Sequence, residues 1–140
     1  IEEAGPQKQI TYSIELSNNG NARSNVNFNV VDAHSADGWN PIAPNPILLE
    51  SKNQGGTSTT KNVNFLVSTP YKNGWNNKET TFVLKIQPVS TNNPELKGNE
   101  IQVNVLARVR GIYVPGPEPF LMVIALLGTA LVARTARKND

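Results

Sequence analysis

The sequence predicts an all-β chain: one antiparallel β-sandwich of about seven strands, followed by a single membrane-spanning helix at its C-terminal end. Three observations point there. Up to Val109, apolar side chains recur at every second position, the period of half-buried strands. Clusters of Asn, Gly and Pro interrupt that alternation at a spacing of roughly 8–12 residues, as in sandwiches. Residues 120–133 then lose the alternation and form an uninterrupted, uncharged apolar run with basic residues behind it.

The first strand is read from Ile10, Tyr12, Ile14 and Leu16, alternating with Thr11, Ser13 and Glu15. It stops at Asn18-Asn19-Gly20-Asn21, residues that tolerate positive φ and favour turns. Val26, Phe28 and Val30 alternate with Asn27 and Asn29, and this second strand is expected to pair with the first. Two short apolar pieces follow Asp37-Gly38, at 39–43 and 47–49. Pro41, Pro44 and Pro46 forbid a central strand there but allow edge strands and a strand that changes sheets. Gln54-Gly55-Gly56 makes a turn, and the next strand points Val63, Phe65 and Val67 inward. Residues 70–77 read as a loop. Thr80, Phe82, Leu84 and Ile86 alternate next, and residues 88–98 read as a longer loop. Ile101, Val103, Val105, Ala107 and Val109 form the last strand. These inward sets are large enough to fill the space between two sheets about 10 Å apart, with Trp39 plugging one end.

The succession of an alternating strand, Ser17-Asn18-Asn19-Gly20-Asn21-Ala22, a second strand, Gly38-Trp39, a Pro-rich piece, Ile47-Leu48-Leu49, a Gly-rich turn and a Thr-rich strand resembles bacterial and archaeal Ig-like domains of the CARDB and alpha-galactosidase-associated type. Gln54-Gly55-Gly56 stands where those domains carry a Pro-Gly turn. The resemblance covers roughly residues 5–110. It implies an Ig-like (fibronectin type III-like) sandwich serving as a spacer, an adhesion module or a protein-contact module, without catalysis.

With Thr135 and Ala136 the apolar run reaches about seventeen residues, or about 25 Å as a helix. That lies at the short end of the membrane-spanning range, and Arg134 can extend it by snorkelling to the headgroups. A buried core helix is the alternative, but the sandwich already has a complete apolar face without it. Glu118 precedes the run, while Arg134, Arg137 and Lys138 end it, which suits the helix dipole. The same cations place the C-terminus in the cytoplasm and the sandwich outside. The division is therefore 1–111 for the extracellular sandwich, 112–119 for a Pro-rich linker, 120–136 for the helix and 137–140 for a basic cytoplasmic tail. The order of a short Pro motif, an apolar helix and a basic end also resembles PEP-CTERM and PGF-CTERM tails. Pro117-Glu118-Pro119 matches the bacterial signature; Pro115-Gly116-Pro117 departs from the archaeal Pro-Gly-Phe at its third residue. This resemblance implies a sortase-like transpeptidase as partner and removal of the helix. The competing reading is a permanent single-span anchor.

Composition narrows the function further. Charged residues are 17% of the 140, below the roughly 25% of an average domain, and no basic stripe offers itself to nucleic acid. There is no Cys, which excludes disulfides and thiolate chemistry. The chain opens at Ile1, so further domains are expected upstream. His34 is the single His, and Asp32-Ala33-His34-Ser35-Ala36-Asp37-Gly38 lacks the ligand spacing of an EF-hand loop; a solvated turn is expected, with no metal and no cofactor. No catalytic constellation singles itself out. The best binding candidates are Tyr71 and Trp75, in a loop whose flat rings and amide neighbours suit a surface glycan or another surface or membrane protein. The alternative is that Trp75 folds back and caps the sandwich. The reading is a non-enzymatic, membrane-anchored surface module that spaces upstream domains from the bilayer. The alternatives are an adhesion module or a single-span accessory subunit of a membrane complex.

Overall fold

The computed structural model describes residues 1–31 and 37–116. Eight strands run in the order β1 (Glu2–Ala4), β2 (Gln9–Ser17), β3 (Ser24–Val31), β4 (Asn40–Ile42), β5 (Ile47–Leu49), β6 (Thr60–Ser68), β7 (Gly74–Ser90) and β8 (Ile101–Tyr113), with a 3-10 turn at Lys52–Gln54. They form a five-stranded sheet, β1-β8-β7-β3-β5, facing a three-stranded sheet, β2-β6-β4. The expected edge strands are found: β4 and β5 are three residues each and sit at the margins of different sheets. The Pro-rich segment between them thus changes sheets.

Four expectations need correction. β2 does not pair with β3. It pairs along its whole length with β6, from Gln9↔Ser68 to Ser17↔Thr60, while β3 pairs with β7 and β5. Alternation fixes which side chains face inward, and both strands face inward under either pairing. The connection 18–23 decides the matter. It is too long for a tight hairpin, and its bonds tie it across the sandwich. Asn18 donates its backbone N–H to the Thr59 carbonyl at 2.8 Å and its side-chain amide to the Ala22 carbonyl at 2.8 Å. The buried Ser51 hydroxyl donates to the Gly20 carbonyl at 2.7 Å.

Second, Glu2–Ala4 is a strand, and it runs parallel to β8, Glu2↔Ala107 to Ala4↔Val109. Three residues with two glutamates carry no period to read. Third, the loop read at 70–77 is half strand: β7 starts at Gly74, and its ladder with β8 runs unbroken from Gly74↔Tyr113 to Ile86↔Ile101. Fourth, Ile101 is 53% exposed, not inward in the core.

The core is otherwise the alternating set. Phe65, Val67, Phe82, Leu84, Ala107 and Val109 are fully buried, and Trp39 keeps only 2% of its surface in solvent. A line of rings crosses the interior. Tyr12 stacks on Phe65 at 5.9 Å, Phe65 meets Phe82 edge-on at 6.3 Å, and Phe82 meets Trp39 edge-on at 6.0 Å. Such offset and edge contacts add to burial because the positive ring edge meets a negative face. The first ring also latches the sheets. Tyr12 lies on β2, yet its hydroxyl donates to the Leu106 carbonyl on β8 at 2.8 Å. Burial, then the nearby Glu2 charge, push the phenol up to about 12.

Candidate binding surface at the exit end

β7 and β8 project from the sandwich as a two-stranded ribbon. Among the described residues, β3 covers β7 from Val83 onward, and β1 covers β8 as far as Val109. Among the described residues, the backbone ladder between 74–77 and 110–113 therefore has no third strand beside it.

Asn76 holds the start of the ribbon. Its side chain is buried. It accepts from the Lys72 N–H at 2.9 Å and donates to the Lys72 and Gly74 carbonyls, both at 2.9 Å. These bonds close the tight turn at 72–74, where Gly74 takes φ 86, a region costly for side chains with a Cβ. Nearby, the buried Thr69 hydroxyl accepts from the Lys8 N–H at 3.0 Å and lies 2.8 Å from the Gly5 carbonyl, to which it can donate. The 5–8 turn is thereby pinned to the end of β6.

Both candidates from the sequence lie here, and neither caps the core. Tyr71 is 55% exposed and Trp75 54%; Trp39 is the plug. Trp75 stands directly across from Ile112, itself 67% exposed. Tyr71 packs instead on Tyr113, with centroids 4.8 Å apart and planes tilted by 48°. Successive strand residues point to opposite faces, so the Trp75–Ile112 pair and the Tyr71–Tyr113 pair occupy opposite sides of the ribbon. Sequence reading missed Asn76, Ile112 and Tyr113. Asn76 is one Asn among many, and Ile112 and Tyr113 lie beyond the last alternating residue.

Charge at this end is one-signed along the two strands. Residues 69–78 and 109–116 contain Lys72, Lys78 and Arg110 and no carboxylate. The acids of the outer sheet face begin further in, where Arg108 grips Glu79 at 2.7 Å. Among the described residues, no three His, Cys, Asp or Glu side chains gather to hold a metal ion. Of the turn expected at 32–38, Asp37 and Gly38 are described; Asp32 and His34 lie outside the described residues. A cleft of about 140 Å³ opens between the sheets at the opposite end, lined by Leu16, Val26, Leu49, Ile86 and Ile101 among others.

Pro115 and Gly116 leave β8 exposed and without regular structure. Pro117, Glu118 and Pro119, the helix at 120–136, and Arg134, Arg137 and Lys138 lie outside the described residues. Among the described residues no helix is long and apolar enough to cross a membrane.

No family model matches the sequence, and no curated protein sequence matches it. Solved structures do. The ASH/PapD-like domain of human CEP192 (PapD-like domain 7) is similar with a TM-score of 0.50 at 16% identity, over 81% of this chain and 80% of that one. The YadV chaperone is more remote, with a TM-score of 0.43 at 15% identity, over 76% of this chain and 47% of that one. At 16% identity the likeness to the CEP192 domain speaks to architecture alone, and what it shows is that the chain folds as an Ig-like β-sandwich.

Proposed function

We propose that this chain is a non-enzymatic, membrane-anchored module of the cell surface that holds upstream domains away from the bilayer. The observation that carries this reading is in the sequence: an uncharged apolar run at 120–133 with Arg134, Arg137 and Lys138 at its end, joined to the sandwich by a short Pro-rich linker. Carried through Arg134 to Ala136 the segment reaches about seventeen residues, the short end of the membrane-spanning range, and the terminal cations orient it. The fold supports the role in a simple way. A hydrogen-bonded sandwich is a rigid unit, and its last strand points the chain towards the tail. The likeness of the strand order to CARDB-type domains, and of the tail to PEP-CTERM signals, is in keeping with this reading. The partners are then the lipid bilayer and, if Pro117-Glu118-Pro119 is read as a sorting motif, a sortase-like transpeptidase.

The exposed rings of Tyr71 and Trp75 favour a second reading, a module that binds a surface glycan or another surface protein. Membrane extraction tests the first. The full chain should stay with membranes through high salt and alkaline carbonate and be released by detergent. Release by carbonate alone, as a soluble monomer, would remove the anchor. The intact mass of the cellular protein divides the two fates of the tail: an end near Pro117 means sorting, an end at Asp140 a retained span.

A further inference from the structure

We propose that the exit-end ribbon is itself immersed in the interfacial layer of the bilayer, with Tyr71, Trp75, Ile112 and Val114 among the headgroups. This rests on the anchored reading above and adds a second membrane contact to it. Trp and Tyr concentrate at membrane–water interfaces, where an apolar ring and a polar edge are both satisfied. Here they concentrate at one end of a domain whose other large exposed apolar side chains are scattered. Tyr71, Trp75, Ile112 and Val114, the last 76% exposed, all lie on or beside the ribbon.

A short tether keeps this end near the lipid. Six residues, 114–119, separate Tyr113 from the apolar run. At about 3.1 Å per residue in an extended Pro-rich chain they span at most about 20 Å. The headgroup layer on each side occupies about 5–8 Å of the bilayer, so the ribbon tip reaches it when the tether is not fully stretched. Charge agrees. Arg110 lies on the ribbon and Lys72 and Lys78 flank it, while the neighbouring Glu79 is paired to Arg108, which suits a phosphate-rich layer. The placement of the rings also favours lipid over sugar. A sugar platform presents its rings on one surface, but Trp75 and Tyr71 occupy opposite faces of the ribbon. A two-sided apolar tip suits immersion in a medium that surrounds it.

The test uses the full chain reconstituted into phosphatidylcholine–phosphatidylglycerol vesicles, with tryptophan emission as the readout. Trp39 is buried at 2% exposure and contributes a constant background, so quenching reports Trp75; a Trp75→Phe variant confirms this by losing the response. Lipids brominated high on their chains should quench Trp75, and aqueous iodide should quench it severalfold less than in detergent-free peptide controls. Ile112→Glu, which puts a carboxylate among the headgroups, should restore iodide access while the protein still floats with the vesicles. If the wild-type protein floats but Trp75 stays open to iodide and untouched by bromine, the immersed ribbon is wrong and the anchor survives. If the protein does not float, both are wrong. If Trp75 is shielded only when oligosaccharide is added, the surface is a sugar site and the proposal fails.

Discussion

Asn76 shows how much a single buried amide can organise. It satisfies three backbone groups of the turn before β7, and a buried polar group left without partners costs about 1–3 kcal/mol. Asn76→Ala should therefore lower unfolding free energy in urea by about 1–3 kcal/mol and broaden the environment of Trp75. Two other residues set a pH profile. Glu50 is held below its ordinary value of 4.5 by the backbone N–H groups of Ser58 and then Thr57, which it accepts at 3.0 and 2.9 Å. Its folded-state value is depressed, so its stabilisation is present above 4.5 and fades as pH falls through the lower folded value. Glu50→Gln should flatten the acid limb of the melting temperature against pH. The Tyr12 phenol moves the other way. Raised to about 12 from 10.0, it stabilises the fold fully below 10.0, and that contribution is lost as pH climbs towards 12. Tyr12→Phe should remove this alkaline limb.

Individual strands were legible where one face is buried and illegible where the environment is not two-faced. β2, β6 and the inner halves of β7 and β8 follow their period because each lies over a core. Glu2–Ala4 and the ribbon residues 74–77 have no such contrast, and nothing local reveals them. Pairing was less legible than faces, because β2 and β3 would look the same in a hairpin or in separate sheets. The turn chemistry was readable in kind but not in detail. Gly55 adopts φ 73, and Gly56 leaves no room for a side chain: a Cβ there would lie 2.8 Å from the Ser51 carbonyl oxygen and within contact of Glu50. Two adjacent glycines thus answer two different demands. Gly56→Ala must displace backbone, and its melting temperature should fall well below that of a control substitution at exposed Gln54. At the far end of the aromatic line, Trp39→Ala should cost about 3–5 kcal/mol, the usual range for emptying a large buried ring.

At the scale of the whole molecule, the sandwich was predictable and its candidate surface only half so. Tyr71 and Trp75 stood out because aromatic residues flanked by Gly and Asn are conspicuous. Their partners Ile112 and Tyr113 did not, since only the fold reveals that β8 runs back to the 70–77 segment. The same geometry has a mechanical consequence. β1 and β8 lie side by side and point the same way. A pull from upstream residues on one and from the tail on the other drags the two strands past each other in opposite senses. Their neighbouring bonds are then sheared together, whereas the rungs of a hairpin peel open one after another. Stretching the domain between these two strands would therefore meet its resistance at Glu2–Ala4, one of three strands only three residues long and the least conspicuous of them in the sequence.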